Sequence, residues 1–82
     1  MDYKVRASRA KSLQNDEIFQ SILKDLRDRQ LDVFASSSAS EVEKREDAHA
    51  ILRALNEIEY ILQADINAEK LITKKGTALH GN

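Results

Sequence analysis

The chain has no cysteine and no proline, and only two glycines in 82 residues. Without cysteine, neither a disulfide nor a thiolate metal site can hold the fold together. Without proline and with so little glycine, the frequent turns of a β-sandwich or barrel have few residues to make them. Aromatics are only 5% of the chain while charged residues are 33%, a balance that favours helices that pair or oligomerise. No apolar run approaches the roughly 18 residues needed to span a membrane. The N-terminal stretch MDYKVRASRAKSLQ has basic residues but no apolar segment, so no secretory signal is expected. These absences leave one small, soluble, all-α domain of an intracellular setting as the expectation.

What is present is charge, unevenly placed. The net value is -1, but residues 1–14 carry Lys4, Arg6, Arg9 and Lys11 against Asp2 alone. The body that follows is acidic, and Lys74 and Lys75 return positive charge near the end. Basic ends around an acidic body do not make a continuous nucleic-acid footprint.

Apolar residues recur at helical spacing in two segments. In the first, Phe19, Ile22, Leu23, Leu26, Val33 and Phe34 form a stripe that Ile18 and Leu31 widen and Gln30 interrupts. Asn15 or Asp16 can cap its start. In the second, Ala48, Ile51, Leu52, Leu55, Ile58, Leu62, Ile66 and Ile72 form a seam close to a heptad, with Ile61 beside it. Ser40 with Glu43, or Ser38 with Glu41, has the spacing of a capping box at its start. Lys74, Lys75 and Gly76 are the residues expected at its end.

Between the stripes lies FASSSASEVEKRED, residues 34–47. A short serine-rich link that ends in a cap suits two helices folded against each other, and short connections make sequential helices antiparallel neighbours. A single continuous helix is the rival. The pattern predicts an antiparallel helical hairpin, about residues 16–36 and 41–74, within a hairpin unit of residues 15–75. Residues 1–14 then form a basic arm or short helix, and residues 76–82 a flexible tail. The second helix would be about 48 Å long against about 30 Å for the first. Its far end, near Leu62 to Ile72, therefore needs a cover. Either residues 3–14, with Tyr3, Val5, Ala10 and Leu13, fold over it, or another subunit does.

Chemistry is sparse. Glu46 and His49, three residues apart, have the spacing of one carboxylate-bridged metal motif, but the first helix offers no glutamate near the loop end, only Asp28 and Asp32. Solvated polar residues on a first helical turn are the plainer reading. Pairs such as Glu57 and Glu59 face different sides of a helix. There is no phosphate loop, serine elbow or zinc spacing, so no catalytic residue, metal, cofactor, small-molecule substrate or membrane role is expected. Lys4, Arg6, Arg9 and Lys11 are the residues to contact nucleic acid or an acidic surface. Leu55, Ile58, Leu62 and Ile66 are the residues to pack on a partner.

Phe19, Phe34, Ser36, Arg45, Glu46, Leu52, Ala54, Leu55, Ile58 and Leu62 carry a resemblance over Asn15 to Lys70. This stretch is similar to small uncharacterised helical-hairpin proteins encoded in tailed-bacteriophage structural and packaging gene clusters. The GK pair that often follows their second helix is absent at that place, since Lys75 precedes Gly76. The resemblance implies a viral, non-enzymatic accessory or structural protein in the virion or host cytoplasm. Such a protein would work through helix–helix packing with itself or with head, portal or tail components. The alternative is a nucleic-acid-binding packaging or regulatory factor using the basic arm.

Overall fold

The computed structural model describes the backbone of residues 2–80 and the side chains of residues 2–70. Three helices account for almost all of it: α1 (Tyr3–Gln14), α2 (Glu17–Ser36) and α3 (Val42–His80). No strand occurs among the described residues. The chain is all-α, as its lack of turn formers implies.

Each boundary has a local cause. The Asp2 carboxylate accepts the Lys4 amide at 3.3 Å and opens α1. Asp16 does the same for α2, accepting the Phe19 amide at 2.7 Å. Asn15, the other candidate cap, instead closes α1 by donating its amide to the Lys11 carbonyl at 3.0 Å. Only Asn15 and Asp16 separate the two helices, so α1 and α2 meet at a tight corner.

The serine-rich link forms the loop of residues 37–41. Of the two capping pairs, Ser38 with Glu41 is used: the Ser38 amide donates to Glu41 Oε1 at 2.9 Å. Arg45, one turn into α3, ties the loop down. Its Nη1 donates to Ser37 Oγ at 3.1 Å and to the Ser38 carbonyl at 2.5 Å. Its Nη2 donates to the Ala39 carbonyl at 3.2 Å. One planar guanidinium thus satisfies three acceptors that the turn would otherwise leave to water.

Away from the loop, the partners of α2 lie farther along α3. Arg27 Nη1 reaches Asn56 Oδ1 at 3.1 Å, and Arg27 Nη2 reaches Glu59 Oε1 at 2.7 Å. The seam of α2 is Leu23 and Gln30, buried, flanked by half-buried Phe19, Leu26 and Val33. That of α3 is Ala48, Leu55 and Ile66, buried, with half-buried Leu52 and Leu62. Gln30 occupies a core position, yet no buried side-chain nitrogen or oxygen among the described residues lacks a partner. Its amide is therefore not stranded.

The overhang of α3 is covered by α1. Arg6 Nε lies 2.8 Å from Asp65 Oδ2 and Lys11 Nζ lies 3.4 Å from Glu69 Oε2. Gln14 Nε2 donates to Gln63 Oε1 at 2.9 Å. The contact differs from the one expected from the apolar pattern. Of the four residues expected there Ala10 is buried, joined by Ala7, while Tyr3, Val5 and Leu13 are exposed. Small side chains let the two helix backbones approach closely, which bulky ones at the crossing would prevent.

The end of α3 also differs from expectation. The helix continues past Lys74, Lys75 and Gly76 to His80, beyond the end near residue 74 that the sequence predicts. A glycine inside a helix costs about 1 kcal/mol relative to alanine. That is too little to stop a helix already propagating over many turns.

Candidate interaction surface

The core is small for the chain that surrounds it. Among the described residues the buried apolar ones are Ala7, Ala10, Leu23, Ala48, Leu55 and Ile66, half of them alanine. Twelve larger apolar residues among those described remain exposed, more than isolated surface scatter explains.

The four residues expected to pack on a partner are divided by the fold. Leu55 and Ile66 are only 2% and 3% exposed. They sit at seam positions and are spent within the chain, so they are removed from the candidate interface. Leu62 is half-buried beside α1, in an apolar hollow shared with Ala10, Leu13 and Ile61. Only Ile58, 40% exposed, presents itself to solvent.

A different apolar face takes their place. Ile51, Ala54, Ile58 and Ile61 are spaced by three, four and three residues and share one edge of α3. Ile18 and Ile22, 71% and 57% exposed, share one edge of α2. At 3.6 residues per turn, Arg27 lies on the opposite edge of α2, and Asn56 and Glu59 on the opposite edge of α3. Because Arg27 binds both, those polar edges lie together on one side of the helix pair. The isoleucine edges therefore lie together on the other. The sequence showed the residues but not this partition, because each stripe was wide enough to be read as facing the core throughout.

The cations of α1 are also divided. Arg6 and Lys11 flank the buried alanines and are ion-paired to α3. The hydrogen bond and charge of Asp65 raise the Arg6 pKa above its ordinary value. Lys4 and Arg9 take part in no ion pair among the described residues and lie on different sides of α1. The four do not form one patch along which a phosphate backbone would run.

Glu46 and His49 are both exposed on the outer face of α3. Among the described residues no group of three or more His, Asp or Glu side chains is placed to share an ion. A hollow of mixed polarity at the junction of the helices is lined by Gln14, Gln20, Asn56, Glu59, Tyr60, Leu62 and Gln63. Gln14 binds Gln63 and Arg27 binds Asn56 and Glu59, and the lining includes no nucleophile beside a base. No helix among the described residues is long and apolar enough to cross a membrane.

These features define a small three-helix chain whose most distinctive surface is apolar. No protein-family profile matches it, and neither does any curated protein or solved structure.

Proposed function

We propose that the chain is a non-enzymatic interaction protein, an antiparallel hairpin of α2 and α3 braced by α1, that works by helix packing against other protein. The observation that carries this reading is the imbalance of apolar surface: Ile18, Ile22, Ile51, Ile58 and Ile61 are exposed on one face, while alanine makes up half of the buried apolar residues among those described. A two- or three-helix core of this size gains stability when such a face is covered. The ion pairs of Arg6 and Lys11 favour it over the nucleic-acid alternative, since two of the four cations already hold α1 in place. The assignment to a bacteriophage accessory or structural protein, acting on itself or on head, portal or tail components in the virion or host cytoplasm, rests on the resemblance of residues 15–70. Light scattering across a dilution series tests the interaction role, and mass spectrometry of purified particles tests the viral one. A chain that stays monomeric and captures no particle component would end this reading.

A further inference from the structure

We propose that the isoleucine face is the interface of a two-fold symmetric dimer in which α3 of one copy packs antiparallel to α3 of the other. This deepens the interaction role proposed above and rests on it. The stripe Asp47, Ile51, Ala54, Ile58, Ile61, Asp65 has the same spacing read in either direction, centred on Asn56. A two-fold axis at that level sets Ile51 against Ile61 of the second copy and Ala54 against Ile58. The small residue makes room for the large one in both halves, as an isologous contact requires.

Charge chooses the direction and the partner. Asp25, Arg29, Asp47 and Arg9 are exposed on or beside this face, and none takes part in an ion pair among the described residues. Asp47 lies at the loop end of the stripe. Arg9 lies at the other end, lining the hollow that contains Ile61 and Asp65. A parallel arrangement would bring Asp47 against Asp47 and Arg9 against Arg9. An antiparallel one sets Asp47 opposite Asp65 of the second copy, whose charge Arg6 already offsets, with Arg9 beside it in the same hollow at both ends. Arg27 is hydrogen-bonded to Asn56 and so lies level with the axis. Asp25 and Arg29, two residues to either side of it, then meet each other's counterparts. These four charges gain opposite partners in a second copy of this chain, a complementarity that favours this register over the parallel one.

The test uses the full chain. Light scattering should give a mass of twice 9.3 kDa, and Ile58→Asp should reduce it to the monomer with helical circular dichroism retained. Asp47→Arg should weaken the dimer about tenfold, and adding Arg9→Asp should restore it. Because the chain has no cysteine, Ile51→Cys and Ile61→Cys variants mixed under oxidation report direction cleanly. A disulfide between the two variants is expected; each variant linking only to itself would overturn the antiparallel arrangement. An oligomer that persists in Ile58→Asp but is broken by Leu31→Asp would overturn this face while leaving the interaction role standing. A monomer that instead binds a different protein would also overturn the dimer alone. A monomer that binds nothing would remove both.

Discussion

Arg27 and Glu59 are 32 residues apart in sequence, and Arg27 Nη2 lies 2.7 Å from Glu59 Oε1. With the second bond to Asn56, this contact fixes which edges of α2 and α3 face the same way. It is a register device more than a source of stability, since both side chains keep solvent contact and exposed pairs contribute about 0.2–1 kcal/mol. A double-mutant cycle with Arg27→Ala and Glu59→Ala should return a coupling in that range by urea denaturation. A coupling well above about 2 kcal/mol would mean that the pair is buried in solution and that the edge assignment is wrong.

Docking of α1 depends on its alanines, not on its charges. Ala10 is 4% exposed against α3, so Ala10→Glu places a carboxylate where a helix backbone must approach. An isolated helix of 12 residues is marginal in water, so undocking should melt it. The expected result is loss of helical circular dichroism equivalent to α1 and rapid amide exchange over residues 3–14. Arg6→Ala, which removes a solvent-screened ion pair, should change stability little and leave those amides protected. Equal protection in both variants would show that α1 is held by something other than the Ala7 and Ala10 contact.

The legible parts of the fold were those where one residue type has one physical use. Asp16 before an apolar run, and the Ser38–Glu41 spacing after one, mark boundaries because their oxygens have few other partners nearby. The apolar stripes marked which segments are helical. They could not say which edge is inward, because Ile51, Leu55 and Ile58 all fall within one broad face of α3 and only contact with α2 separates them. Docking of α1 was harder still. Its buried residues are alanines, which carry little hydropathy signal, while Val5 and Leu13 carry more and remain outside. Arg45 shows the same limit from the polar side: its three loop acceptors are set by the turn geometry, which exists only after folding.

Arg45 is therefore a position where similar charge should not substitute. Lysine has a point charge and cannot hold Ser37, Ser38 and Ala39 together in the plane that the guanidinium provides. Arg45→Ala should destabilise the chain by about 2 kcal/mol, the range for hydrogen bonds to a charged group. Arg45→Lys should recover less than half of that. Full recovery with lysine, measured by the denaturation midpoint, would reduce Arg45 to a simple counter-charge.

Glu41 gives the loop a dependence on acid pH. The hydrogen bond from Lys44 and then the one from the Ser38 amide favour its ionised form, lowering the pKa from 4.5 to about 2. A carboxyl depressed in the folded state releases its proton more readily there than in the unfolded chain. Its contribution to stability is thus present above the unfolded value and lost as pH falls through the folded one. The stability difference between the native chain and Glu41→Gln should be constant from neutral pH to about 5, then shrink toward zero as pH approaches 2. Carboxyl carbon shifts followed by NMR should place the Glu41 midpoint near 2, and Lys44→Met should move it upward. A midpoint at the ordinary glutamate value in the native chain would mean that the contacts of Glu41 with Lys44 and Ser38 do not form in solution, and that the loop of residues 37–41 is held by Arg45 alone.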